Sequence, residues 1–251
     1  MKKRWNSFHL KLLTVLSLFI GRSCLLFFRK MTEDASTEPG RTELLLYYIG
    51  TLLSLAAVPV AGFLLVQAVR YTSSKKRLVI RLTAATVVAE LLLDLAEYGI
   101  RVERYWWNGI NLLGTLLLAL FGILVMEEIV KKRFAPDSLR CQLFGALVLL
   151  LSAAAAVLLR TDQGASGVMI ILAVYLFEHN IPILLIAIAA LQTVFSTSMN
   201  LVVYAPVLGV ALLTLYNGEQ GPHGKGLRVL SYLGYPAGYA GIQLLLRLFA
   251  S

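Results

Sequence analysis

Cysteine is almost absent from this chain, histidine is scarce and charge is thin. The two cysteines, Cys24 and Cys141, both sit in apolar segments, which excludes a disulfide framework and a cysteine-based metal centre. The three histidines, His9, His179 and His223, lie far apart and share no metal-ligand spacing. Charged residues make up 15% of the 251 residues, against about 25% in a typical soluble domain. There is no Walker motif and no Ser-His-Asp arrangement. Gly218, Gly221, Gly224 and Gly226 resemble a phosphate cradle, but no strand precedes them and Pro222 interrupts them, so the stretch reads as a flexible cytoplasmic loop.

What is present is hydrocarbon. Hydrophobic residues make up 58% of the chain and the mean hydropathy is +0.76, both displaced towards a membrane protein. The net charge of +9 is no nucleic-acid footprint, because the bases fall in short clusters between apolar runs. A bilayer crossing takes about 20 apolar residues. Candidate spans are residues 10–28, 44–69, 81–97, 109–126, 141–159, 167–177, 181–195, 201–216 and 229–249. The expected fold is all-α and integral to the membrane, a polytopic bundle of about nine spans in a single transmembrane domain over residues 1–251. Eight spans result if 167–177 and 181–195 form one helix broken at Glu178-His179-Asn180 and Pro182. Met1-Lys2-Lys3-Arg4 and the run behind it look like a secretory leader. No Ala-x-Ala site follows and Arg22 interrupts the run, so a retained first span is expected.

The third span carries the chemistry. Thr83, Thr86, Glu90, Asp94 and Glu97 are spaced 3, 4, 4 and 3, which puts them on one helical face among Leu, Val and Ala. A charge in hydrocarbon costs at least about 2.5 kcal/mol, so such residues face a bundle interior or a wet cavity. The stripe is either a functional site or an acid pair that a buried arginine neutralises to hold two helices in register. Asn108, Asn111, Thr115 and Gly122, 3, 4 and 7 apart, form a second set at helical spacing in the fourth span. Tyr105-Trp106-Trp107 suits a membrane interface.

Lysines and arginines orient the chain. With the N-terminus in the cytoplasm, the inner segments collect Lys2, Lys3, Arg4 and Lys11, then Arg70, Lys75, Lys76, Arg77 and Arg81. They also hold Lys131, Lys132, Arg133, Arg140, Lys225 and Arg228. The outer loops hold Arg29, Lys30, Arg41, Arg101, Arg104 and Arg160. At 1.5 Å per residue, Glu90 lies about 14 Å from Arg81 and Arg22 about 18 Å from Leu10. Both reach the middle of the bilayer. Arg22 is therefore expected to face Glu90 or Asp94, in the layer that Asn111 and Thr115 enter from outside.

The order of motifs resembles the TraX family, integral-membrane proteins associated with N-terminal acetylation of conjugative pilin and similar to the wider integral-membrane acyltransferases. The resemblance runs from Leu10-Lys11-Leu12-Leu13 through Tyr48-Ile49-Gly50 and Val58-Pro59-Val60-Ala61-Gly62 to Arg70-Tyr71-Thr72. It is strongest at Arg81-Leu82, Glu90, Asp94-Leu95-Ala96 and Asn111-Leu112-Leu113-Gly114-Thr115. Asp162, Gly164 and Gly167 fit a turn before a span, and Tyr216-Asn217-Gly218 and Tyr235-Pro236 close the pattern. Departures fall where chemistry is expected. Gly21-Arg22 stands where the family carries Asp-His, Gln67 replaces an acid, and Tyr71 and Gly238 each replace a histidine.

The resemblance implies an acyltransferase using acetyl-coenzyme A or another acyl-coenzyme A, with no metal. Its acceptor would be a peptide, a pilin or an envelope glycan. The expected catalytic residues are Glu90 or Asp94 as base, with Arg22 or Asn111 holding negative charge. Arg70, Lys75, Lys76, Arg77 and Lys225 are the expected cosubstrate-binding cations. A silent scaffold of the same fold and a proton-coupled transporter are the alternatives. No nucleic-acid partner is expected. The three histidines read as surface residues.

Overall fold

The computed structural model describes residues 5–33, 39–98, 110–135, 138–195, 200–222 and 224–250. Among them are nine helices of more than two turns and no sheet. They are α1 (Ser7–Glu33), α2 (Arg41–Tyr71), α3 (Lys75–Tyr98), α4 (Leu112–Val125), α5 (Leu139–Leu158), α6 (Gly164–Phe177), α7 (Ile181–Phe195), α8 (Ala205–Leu213) and α9 (Lys225–Ala250). Helix α4 continues through a π-helical turn, Met126–Val130, into Lys131–Arg133. The 167–177 and 181–195 segments are two helices, not one. Tyr105-Trp106-Trp107, Asn108, Arg101, Arg104 and His223 lie outside the described residues.

Four helical runs are long and apolar enough to cross a membrane: α1, α2, Leu112–Arg133 and α5. Helices α6 and α7 and the run Leu201–Leu213 are apolar but shorter. The 14 residues of α6 reach about 21 Å, against about 30 Å of hydrocarbon. Burial explains how so short a helix is stable. Val168, Ile171, Leu172 and Val174 are all fully enclosed, and α6 packs on α2, α4, α5 and α7. A helix apolar on every side belongs in the middle of a bundle. Helix α5 shows the opposite case: Leu139, Leu143, Leu147, Leu150 and Leu151 are all exposed, an apolar surface of the kind that meets lipid or another protein.

Small residues bring helices close. A side chain at Gly21 of α1 would meet Ser54 Oγ and the Gly50 carbonyl of α2, and one at Gly50 would meet the Gly21 carbonyl. Two short backbone clips then tie distant segments together. Trp5 bridges Tyr216, with Trp5 N–H donating to the Leu215 carbonyl at 3.1 Å and Asn217 N–H to the Trp5 carbonyl at 2.7 Å. Ile110 bridges Thr161, with Ile110 N–H donating to the Arg160 carbonyl at 3.1 Å and Asp162 N–H to the Ile110 carbonyl at 2.7 Å. The glycine-rich stretch expected to be flexible is thus anchored. Ser7 N–H donates to the Glu219 carbonyl at 2.9 Å, and Gly218 and Gly221 supply the positive φ of 88° and 67° that the turns need.

Candidate functional site

Helix α3 buries its acids. Glu90 is 4% exposed, Asp94 6%, and Asn111, facing them at the start of α4, 6%. Val87, Val88, Leu91 and Leu95 point outward. The spacing argument fails at one end, because Thr83 is exposed while Thr86 is buried. At 100° per residue Thr83 falls between Glu90 and Asp94 in angle, so what separates it is its position along the axis, about 10 Å nearer the start of α3 than Glu90 at 1.5 Å per residue.

Asn111 is committed on every side. Its backbone N–H donates to Glu90 Oε2 at 2.8 Å, and its Nδ2 donates to the same oxygen at 2.6 Å. Nδ2 also donates to the Thr86 carbonyl at 3.3 Å. Its Oδ1 accepts from Leu113 N–H at 2.8 Å, capping α4. Both amide hydrogens are used, so Asn111 positions Glu90 and has no donor left for a substrate oxygen. Thr115 Oγ1, one turn along α4, is fully buried with no hydrogen-bond partner. Asp94 has a polar or electrostatic interaction of its own.

Arg22 corrects an expectation. Its guanidinium pairs with Asp162, not with Glu90 or Asp94. The reason is the Ile110–Thr161 clip, which carries the turn before α6 onto the residue next to Asn111. A third carboxylate therefore enters the layer, and it reaches α1 first. Gln163 Nε2 also donates to Asp162 Oδ2 at 3.1 Å. Arg22 Nε stays buried with no hydrogen-bond partner. Asp162 was legible only as a turn residue. Nothing in its neighbourhood of sequence pointed at α1.

Beneath this layer lies a cavity of about 360 Å³, walled by α1, α2, α3, α4 and α9. Its sides are aliphatic, with Leu18, Leu64, Leu65, Leu82 and Leu230. One end is bounded by Leu112, Leu113, Leu116 and Tyr235, directly under Asn111. The other end is polar and basic, with Ser7, Lys11, Tyr71, Thr72, Arg81 and Gln220. Along α1 the lining runs from Ser7 to Leu18, about 17 Å at 1.5 Å per residue. Arg77 and Arg81, with Thr72, Ser73 and Ser74, line a shallow depression beside the mouth. No local sequence signal predicts this cavity, since its walls come from five helices.

The five expected cosubstrate cations do not behave alike. Arg70 is held by Glu178, and its Nη1 lies 2.9 Å from His179 Nε2. Gln67 Nε2 donates to Glu178 Oε2 at 3.3 Å, which links the cavity wall to this pair. Burial pushes the Glu178 carboxyl above its ordinary value, and the Arg70 guanidinium pulls it back. Lys75 Nζ donates to the Val69 carbonyl at the end of α2. Lys76 and Arg77 are exposed. Lys225 starts α9 beside Gly224, which lines the mouth. His9 is exposed, with Nδ1 2.7 Å from Asn6 Oδ1, and the His179 side chain is 80% exposed.

Among the described residues no group of three or more His, Cys, Asp and Glu could hold a metal ion. A family model described as TraX protein matches residues 9–245. No curated protein and no solved structure matches the chain.

Proposed function

This chain belongs to the TraX family, and from that premise we propose that it is a multi-pass acyltransferase of the bacterial cytoplasmic membrane, built as one transmembrane domain. Its donor would be acetyl-coenzyme A or a similar acyl-coenzyme A. Its acceptor would be a peptide, a pilin or an envelope glycan. The observation that carries this reading is the cavity. It has a basic mouth for phosphates, aliphatic walls for a slender arm, and an inner end beneath buried carboxylates.

In this reading the N-terminus is cytoplasmic, so the mouth opens to the cytoplasm. Arg77, Lys76 and Arg81 take the donor's phosphates, with Lys75 and Lys225 near by, while Arg70 braces the wall through Glu178. Glu90 or Asp94 accepts the acceptor's proton. Asn111 orients Glu90, and Arg22 with its free Nε–H contributes positive charge where the carbonyl oxygen becomes negative. A second reading, a scaffold that has lost turnover, draws on one observation: Glu90 Oε2 already accepts two bonds from Asn111.

Purified protein in lipid, incubated with labelled acetyl-coenzyme A, tests the proposal. Donor binding is expected in the wild type and lost in Val15→Trp, which fills the cavity. Acyl transfer to hydroxylamine, a small general acceptor, is expected in the wild type and lost in Asp94→Asn with donor binding kept. Binding without transfer would favour the scaffold; no binding at all would remove the acyltransferase reading.

A further inference from the structure

Helix α9 contributes a residue to the inner end of the cavity. Gly234 and Gly238 bring α9 tightly against α1: a Cβ at Gly234 would lie 2.9 Å from Val15 Cγ1, and one at Gly238 would lie 2.7 Å from Phe19 Cδ2. Tyr235, beside that contact, is only 5% exposed and lines the inner end of the cavity with Leu112, Leu113 and Leu116.

Its hydroxyl has no hydrogen-bond partner among the described residues, unlike Tyr175, whose hydroxyl donates to Glu127, or Tyr239, whose hydroxyl accepts from Gln243 Nε2 at 3.3 Å. A buried phenol normally finds a partner, because leaving it without one costs about 1–3 kcal/mol. Such a donor, at the inner end of the cavity, belongs where a ligand oxygen can accept from it, and a wholly apolar ligand would leave it unpaired.

We propose that the Tyr235 hydroxyl donates a hydrogen bond to the carbonyl oxygen of the acyl group being transferred. This assignment rests on the acyltransferase reading and deepens it by placing the reacting carbonyl at the inner end of the cavity. The acceptor's nitrogen or oxygen bonds to the carbonyl carbon and gives its proton to a carboxylate of α3. The carbonyl electron pair moves onto oxygen, where the Tyr235 hydroxyl holds the negative charge. That pair then re-forms the C=O bond as the C–S bond breaks, and coenzyme A leaves as a thiolate that takes up a proton. Tyr235 keeps its own proton throughout. It acts as a donor aimed at charge that develops only during the reaction.

Tyr235→Phe removes one oxygen and keeps the ring that fills the wall, so the fold and the donor site are preserved. With acetyl-coenzyme A and hydroxylamine, kcat is expected to fall about 100-fold or more, with donor Kd and thermal midpoint unchanged. Infrared spectra of acetyl-coenzyme A carrying ¹³C at the thioester carbonyl give a reading that needs no turnover. The bound carbonyl stretch is expected at lower frequency in the wild type and back near its solution value in Tyr235→Phe. A variant with wild-type kcat and an unchanged stretch overturns this assignment while leaving the acyltransferase intact. Failure of the wild type to bind the donor overturns both. A variant that loses kcat only together with donor binding or fold also overturns it, and assigns Tyr235 to the wall instead.

Discussion

Arg22 and Asp162, 140 residues apart, form an ion pair across the bundle, and this pair joins α1 to the turn that starts α6. Its side chains are 24% and 20% exposed, between the surface pairs worth 0–1 kcal/mol and the buried pairs that cost about 3–5 kcal/mol to break. Arg22→Met or Asp162→Asn is expected to destabilise the protein by about 1–3 kcal/mol. A double-mutant cycle, by unfolding in detergent, should show that the two losses are not additive. Strict additivity would mean that the pair contributes nothing.

Asn111→Ala removes a helix cap and the side-chain donor to Glu90 at once, while the backbone N–H bond to Oε2 remains. A lost cap costs about 1 kcal/mol, and a buried carboxylate that loses one of its two donors costs about 1–3 kcal/mol more. A total of about 3 kcal/mol is expected. Asn111→Ser keeps the cap but loses the side-chain bond to Glu90, and should fall between. Equal stability of Ala and Ser variants would show that the cap is unimportant here.

Glu178 gives the protein a pH dependence with a definite sign. Its folded carboxyl titrates above the ordinary 4.5 because burial disfavours its charge, and Arg70 partly offsets that. An acid whose folded value is raised binds its proton more tightly when folded. Its contribution is therefore present below 4.5 and lost as pH rises through the folded value. Arg70→Met removes the offset, so the thermal midpoint should drop more steeply with pH above 4.5 than in the wild type. Glu178→Gln should flatten the same stretch of the curve. A profile unaffected by Glu178→Gln would assign the dependence to another group.

The lysine and arginine bias predicts opposite ends. A reporter fused after Ser251 is expected to be active on the outer side of the membrane, and one at the N-terminus inside. Cytoplasmic activity at both ends would mean that one of the short helices, α6, α7 or α8, does not cross.

Much of the fold is local and therefore legible. An apolar run long enough for a bilayer is hydrophobic wherever it packs, so composition alone marks the membrane class and the helical segments. Carboxylates inside such a run are costly in any arrangement, so Glu90 and Asp94 stood out, and both are buried. The order of short motifs carried the family, which the match over residues 9–245 bears out. Pairing was not legible. Arg22 could reach any acid at its depth, and only the Ile110–Thr161 clip decided for Asp162. Thr83 shares a face with Glu90 by spacing, but it sits about 10 Å nearer the start of α3, where that face is exposed. The cavity and the open hydroxyl of Tyr235 depend on the gaps between five helices. Such gaps are set by how neighbouring side chains fill space, a property that no single helix carries in its own sequence.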